Sequence, residues 1–550
     1  MANKQAPGIK TVVAASTAGT AFEWYDFFLY VPLAPILTKV FFSNLDPTTG
    51  YLMALLSFSV GFAFRPVGAL LFGRVGDRIG RKATFLITMS MMGVATFAIG
   101  FIPNYSQIGI AAPIIFIGLR ILQGLALGGE WGGAAIYIVE HVDANKRGAM
   151  SAWLGCSAAF GLAAALLVVL VTRDFIVGKE AFNDHGLWRI PFFFSAVLLA
   201  ISLWIRLKLN ESPVFSKMKE EGRRSERPYV DSFFDFKTGW KNGRKAILAL
   251  FGIMVAQGAV WYCTFFYAQT FMEKFIKVDP KISSMVILGA TAASVPLYLF
   301  FGRLSDRIGR KPVMLFGLVV MLAAYFPAFH MFEKFGNPAL STAAAASPVV
   351  VRADPADCHF QFDPVGKTIF LNSCDIATST LSNAGVSYDR EAAPAGSLAE
   401  VRVGQTVVAM DKAEGADLKA LTASRNTIAG RVTTALKAAG YPEKADPAKT
   451  SSVGLFLVLL AMVVGATALY GPQAAALVEM FPANVRYTAL SLPYHIGTGW
   501  IGGFLPALSF AIVTWRGNIY SGLWYSVFFT AVSLVVMLFF VKEMRGAPVD

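Results

Sequence analysis

GRVGDRIGRK at residues 73–82 returns as GRLSDRIGRK at residues 302–311, an offset of 229 positions. Each copy is charged, rich in Gly and set between long apolar stretches, which predicts a chain built as two related halves. Outward from these copies, the 550-residue chain is 55% hydrophobic and 15% charged, an apolar excess that a water-soluble domain could not bury. Apolar runs long enough to cross a bilayer number twelve, at about 11–40, 51–72, 83–103, 108–139, 149–172, 188–208, 245–272, 282–302, 312–333, 452–478, 488–514 and 519–541. The expected fold is an all-α membrane protein of twelve transmembrane helices in two six-helix halves.

Lys and Arg fall on one side of these runs. Arg74, Arg78, Arg81 and Lys82 lie between runs 2 and 3, a cluster from Lys217 to Arg244 between runs 6 and 7, and Arg303, Arg307, Arg310 and Lys311 between runs 8 and 9. FFSNLDPTTG and IPNYSQ, on the alternate side, carry no Lys or Arg. By the positive-inside rule both termini are expected in the cytoplasm of a bacterium, with the chain in its inner membrane. The net charge of +13 is then a topology signal and needs no nucleic-acid partner. The first run is too long for a cleaved signal and carries Glu23 and Asp26, so the N-terminus is expected to be retained.

A second element repeats: VEHVDANKRGAMSA (139–152) and VEMFPANVRYTALS (478–491) each place an acid seven residues before a base, Glu140 with Arg147 and Glu479 with Arg486. Asp77 precedes Glu140 by 63 residues and Asp306 precedes Glu479 by 173, so the second half holds about 110 extra residues. They fall between runs 9 and 10. The division expected is 1–210 for the first half, 211–244 for a basic cytoplasmic linker, 245–335 with 452–550 for the second half, and 336–451 for an extracytoplasmic insert. The insert is polar and reads as a small α+β domain, with strands at SPVVVRA, GKTIFLN and EVRVGQTVVAM and a helix at LKALTASRNTIAGRVTTALKAAG. Its Cys358 and Cys374 are the only cysteines outside the apolar runs, which favours a disulfide over two free thiols in an oxidising compartment.

Gly73, Gly80, Gly302 and Gly309 permit tight turns and close helix approach. Asp77 and Asp306 can accept hydrogen bonds from a neighbouring helix N-terminus. Arg78, Arg81, Arg307 and Arg310 can bridge to Glu140 and Glu479. Together these groups read as a cytoplasmic gate that holds the halves together in one state and releases them in another, as alternating access requires.

The pattern G-x-x-x-D-R-x-G-R-K resembles the signature loop of the major facilitator superfamily, and LRILQGLALGGEWGG (119–133) resembles its second signature. FEWYDFFLY, FRPVGALLFG, LWRIPFF, NESPVF and YGPQAAALVEMFPANVRYTALSLPYHIG are similar to the metabolite:proton symporter branch. The resemblance covers the chain apart from the insert. It implies the major facilitator fold and proton-coupled uptake of an organic acid or of a zwitterion such as proline or betaine.

Ionisable residues at membrane depth are costly and therefore candidates for function. Glu23 and Asp26 share one helix face, three residues apart. Paired with Arg120, Asp26 is the expected proton-coupling group. The alternative is that either carboxylate pairs with Arg120 or Arg65 to hold helices together. Glu130, among small residues in GGEWGG, reads equally as a proton site or a structural ion pair. His495 could titrate, or serve in packing. Gln257, Trp261 and Tyr267 supply polar and aromatic groups that either line the cavity or, for any single one of them equally, pack against lipid or neighbouring helices. Aromatic rings suit an alkylated ammonium and a buried Arg suits a carboxylate, so the substrate's charge stays open.

No phosphate-binding loop is read at PVGKTIF, because position 361 is Gln where the pattern needs Gly. Neither metal-ligand spacing nor a nucleophile with a base is found, so the chain is expected to be a transporter without cofactor, using the proton as coupling ion. Its expected partners are membrane lipid, a small carboxylate or zwitterion and, for the insert, an envelope component; the chain is expected to be a monomer. Proton-coupled export, and a sensor working through the insert, are the alternatives.

Overall fold

A computed structural model describes residues 9–43, 47–207, 211–361, 371–416 and 418–549. All twelve apolar stretches are helical. In the first half they are α1 (Ile9–Phe28) with α2 (Tyr30–Phe41), α3 (Pro47–Ile79), α4 (Arg81–Ile99), α5 (Ala111–Glu140), α6 (Ala144–Ile176) and α7 (Leu187–Leu207). A linker helix, α8 (Pro213–Glu220), leads to α9 (Lys241–Phe275), α10 (Pro280–Ile308) and α11 (Arg310–Gly336). Among the described residues nine helices are long and apolar enough to cross a membrane by themselves. The first stretch is divided at Leu29, and the last helix has 17 residues.

The chain breaks from one helix into the next at the decapeptides for a local reason. Gly80 and Gly309 take φ of 120° and 108°, a region that side chains with a Cβ rarely enter, and there α3 gives way to α4 and α10 to α11. Close packing of α3 on α5 depends on missing side chains: a Cβ on Gly68 would lie 2.1 Å from the Leu125 carbonyl oxygen, and one on Gly124 2.2 Å from that of Gly61.

Between α11 and the next long helix the chain forms a four-stranded sheet, in the order β2-β1-β3-β4. Strands β1 (Val349–Ala353) and β2 (Asp389–Ala392) pair in parallel, whereas β3 (Glu400–Val403) pairs antiparallel with β1 and with β4 (Thr406–Ala409). Val349, Val351, Val401 and Val403 alternate inward, as a half-buried sheet requires. Helices α12 (Ser373–Ala384) and α13 (Leu418–Ala438) complete this unit, and Cys358 and Cys374 are joined by a disulfide. The strand expected at GKTIFLN lies outside the described residues up to 370. Tyr388 N–H donates to the Gly517 carbonyl, and Asn337 to the Ile276 carbonyl, which seats the insert on the second half. The remaining helices are α14 (Ser452–Met480), α15 (Arg486–Arg516) and α16 (Leu523–Phe539).

Helix α9 contains three wide π turns, at Leu250–Met254, Cys263–Tyr267 and Phe271–Phe275, and α15 contains one at Ile496–Gly502. Each inserts extra backbone into a turn and rotates the face that follows.

Candidate functional site

At the basic end the two halves are tied by a pair of matching constellations. Asp77, at the end of α3, accepts hydrogen bonds from the backbone N–H groups of Tyr487 (3.2 Å) and Thr488 (2.9 Å), in the first turn of α15. Asp306, at the end of α10, accepts from Gly148 (2.8 Å) and Ala149 (2.7 Å), in the first turn of the helical stretch that begins at Arg147. Both carboxylates therefore sit on a helix N-terminus of the opposite half, where free N–H groups and the helix dipole favour negative charge. Glu140 pairs with Arg486 at 2.7 Å, and Glu479 with Arg147 at 3.4 Å, again across the halves. Arg81 and Arg310 knit each set together: Arg81 reaches Asp77 (3.5 Å) and Glu140 (3.8 Å), and Arg310 reaches Asp306 (2.6 Å) and Glu479 (3.2 Å). Gly73 and Gly302 let the helices approach, since a Cβ on Gly73 would lie 2.9 Å from Thr488 Cα and one on Gly302 2.6 Å from the Gly148 carbonyl oxygen.

Arg78 and Arg307 do not take the expected part. Both are exposed; Arg78 donates to the Glu226 carbonyl, and the Arg307 carbonyl accepts from Arg545. The helix phase explains this, because the turn at each positive-φ Gly points the following Arg inward and leaves the earlier one facing water. Two groups that sequence reasoning missed complete the assembly. Glu211 accepts from the N–H groups of Arg81 (3.1 Å) and Lys82 (3.2 Å), and Glu543 from those of Arg310 (2.9 Å) and Lys311 (3.0 Å), so each acid caps the helix that follows its decapeptide.

Deeper in the first half, Asp26 is buried, accepts from the Ser195 hydroxyl at 2.6 Å and lies beside Thr96, whose hydroxyl donates to the Met92 carbonyl. Gln123 donates to Thr96 Oγ1 (2.8 Å) and accepts from Arg120 (2.6 Å). Arg120 is thus joined through Gln123 to Thr96, next to Asp26, and its guanidinium lies over the rings of Phe27 and Tyr30, at 5.1 and 5.0 Å. Neither Arg120 nor Arg65 forms an ion pair with Glu23 or Asp26; Arg206, unforeseen from the sequence, takes that place, pairing with Glu23 at 3.3 Å and Glu130 at 3.2 Å.

Between the halves lies a narrow cavity lined by Trp24, Ala158, Gln257, Trp261, Tyr262, Tyr470, Tyr494 and Thr498, drawn from α1, α6, α9, α14 and α15. Its free volume of about 10 Å³ is that of one water, so the site is collapsed. Tyr494 stacks on Trp131 of GGEWGG at 3.7 Å, and Trp261 Nε1 donates to the Tyr298 hydroxyl. Beside the rings, the fully buried Arg65 guanidinium stands 5.7 Å from the Trp24 ring and next to Tyr262. None of its nitrogens makes a hydrogen bond of ordinary geometry among the described residues. His495 is buried near Arg65, facing the Gly128 backbone. Gln257 and Trp261 therefore line the cavity, whereas Tyr267 packs in the core of the second half against Phe329, at 5.6 Å. The π turn at Cys263–Tyr267 rotates that residue off the cavity face.

Two sets of helices latched at one end, with a ring-lined cavity and a buried cation between them, define a membrane transporter of the major facilitator class. The chain belongs to the Sugar (and other) transporter family, whose profile matches residues 11–350 and 375–550. Its members are transporters, not enzymes. The proline/betaine transporter of Escherichia coli K12 is 35% identical over 333 residues, which are 59% of this chain and 65% of that protein. The corresponding Salmonella typhimurium protein is 34% identical over 330 residues, with the same coverage. The chain thus matches slightly under two-thirds of the length of these relatives. The shikimate transporter of Escherichia coli K12 is 33% identical over 325 residues, covering 58% of this chain and 71% of that one. Among solved structures, the proton:xylose symporter XylE with a bound bromodeoxyglucose superposes with a TM-score of 0.58 at 15% identity, covering 98% of this chain and 97% of the other. The likeness at that identity is one of fold.

Proposed function

We propose that the chain crosses the inner membrane twelve times with both termini and the latch in the cytoplasm, and imports a small zwitterion together with protons by alternating access. The buried Arg65 beside a ring-lined cavity carries this reading. A buried guanidinium with no hydrogen-bond partner of ordinary geometry among the described residues is a receptor for a carboxylate, which would form charge-assisted hydrogen bonds with it. Trp24, Trp261, Tyr262, Tyr470 and Tyr494 offer π faces to an alkylated ammonium at the other end of the same small molecule. The resemblance to proline/betaine transporters supports the same class. Asp26, bonded to Ser195 of α7 and beside Thr96 of α4, is the proton-coupling acid; proton binding there would rearrange α1, α4 and α7 against one another.

Uptake by proteoliposomes with an imposed inward proton gradient tests the proposal, using labelled glycine betaine, proline, shikimate and a dicarboxylate, with a protonophore control. Gradient-dependent accumulation of betaine or proline is the expected result. Accumulation of shikimate alone would reassign the site to simple carboxylates, and no accumulation of any of them by folded protein would overturn proton-driven import.

A further inference from the structure

Two carboxylates and one guanidinium are shut together inside the first half, apart from the proposed substrate cavity. Glu23 of α1 and Glu130 of α5 flank Arg206 of α7 at 3.3 and 3.2 Å, and all three are at most 2% exposed. Arg206 reaches between them because residue 19 is Gly, where a Cβ would lie 2.1 Å from its Nη2. Both Glu23 oxygens and Glu130 Oε2 make no hydrogen bond among the described residues. With both acids ionised, the buried group carries one net negative charge, and a single proton balances it.

Tyr487 of α15 is a titratable group of the second half that faces both Glu130 and Arg206. Its hydroxyl donates to the Gly129 carbonyl, one residue from Glu130, and its N–H is held by Asp77 of the latch. Gly76 and Gly133 make its berth, since a Cβ on either would lie 2.4 or 2.3 Å from Tyr487. Beyond Tyr487 stand Asp77 of α3 and Arg81 of α4, and α4 otherwise presents the uncharged Phe85 ring to Arg206. Tyr487 thus lies between the triad and the basic end, fastened at both sides.

We propose that Glu23, Glu130 and Arg206 form a proton store whose exit to the cytoplasmic side is closed by Tyr487, so that opening the latch and releasing the proton are one event. The proposal rests on the proton-driven, latch-inside reading above. When Asp77 and Glu140 let α15 go, Tyr487 leaves with it and water reaches the carboxyl. One O–H bond breaks, the proton passes to water, the electron pair stays on the carboxylate, and Arg206 keeps its charge. Glu23 lies one helical turn from Asp26 on α1, which places the store next to the coupling acid.

Infrared spectroscopy of the full chain in liposomes, with no substrate present, tests the store by the carbonyl stretch of a protonated carboxyl and its exchange in D₂O. The expected band is lost in both Glu23→Gln and Glu130→Gln and kept in Asp26→Asn. Its exchange is expected to be at least tenfold faster in Tyr487→Ala and in Arg486→Gln, which leaves the triad intact, and to stay slow in Tyr487→Phe. A band that survives both Gln substitutions, or one exchange rate shared by the wild type, Tyr487→Ala and Arg486→Gln, overturns the proposal. Because the readout needs no substrate, failure of the import reading leaves this result unaffected.

Discussion

The two halves are close copies at the basic surface and strangers inside the membrane. Asp77, Arg81, Glu140 and Glu211 find counterparts, contact for contact, in Asp306, Arg310, Glu479 and Glu543. Within the bundle the first half holds Glu23, Asp26, Arg65, Arg120, Glu130 and Arg206, all buried, while the second half contributes Trp261, Tyr262, Tyr298, Tyr470 and Tyr494 around the cavity. The difference teaches a division of labour. The cross-half contacts at the basic end are kept in both repeats, whereas buried charge is concentrated in the first half and the rings around the cavity, Trp24 apart, come from the second.

Substitutions that fall on one side of this division break it most visibly. Asp26→Asn is expected to abolish proton-driven accumulation while leaving substrate exchange across vesicles at equal pH, because exchange needs no net proton movement; accumulation of wild-type size would remove Asp26 from coupling. Arg65→Ala is expected to weaken binding of a carboxylate-bearing substrate by about 3 kcal/mol, roughly a hundredfold, read by isothermal titration, with a smaller loss for Arg65→Lys. On the ring side, Tyr470→Leu is expected to cost about 1 kcal/mol for an ammonium substrate and nothing for a simple carboxylate.

The latch offers a test of likeness. Glu140→Ala and Glu479→Ala each leave a buried Arg without its carboxylate and should destabilise the latched state by similar amounts, about 3–5 kcal/mol, seen as greater thiol accessibility of cysteines placed at the basic end. Glu211→Gln and Glu543→Gln, which keep a hydrogen-bond acceptor at each helix start, should act alike and more weakly, by about 1 kcal/mol. Unequal effects within either pair would sharpen the comparison by showing which repeat bears the closure.

The sequence made the repeat legible because a near-verbatim decapeptide is hard to miss and the acid-to-base spacing of Glu140–Arg147 recurs in Glu479–Arg486. Which acid meets which base was not legible. The bonds cross between halves, and no local spacing encodes a contact between residues 346 positions apart, such as Glu140 and Arg486. Arg206 stands near the basic end of its apolar run and reads there as another topology residue, although it is 1% exposed. Glu211 and Glu543 had one signal: each is an acid shortly past the apolar run that closes its half. Tyr267 was misplaced because a regular helical period does not anticipate π turns. In the insert, β2 escaped notice because it is a polar edge strand with every residue exposed, and α12 because its Ser and Thr residues look like a loop.

The distance between the two basic ends tests the account's central claim most directly. Arg78 and Arg307 are exposed, lie one in each half and take no side-chain part in the latch, so spin labels at Arg78→Cys and Arg307→Cys report its opening. Pulsed electron-electron resonance in lipid is predicted to give a short distance for the resting protein and a longer population once Asp77→Ala and Asp306→Ala are added. A single distance, unchanged by removing both carboxylates, would contradict the latch and the rocking of the halves built upon it.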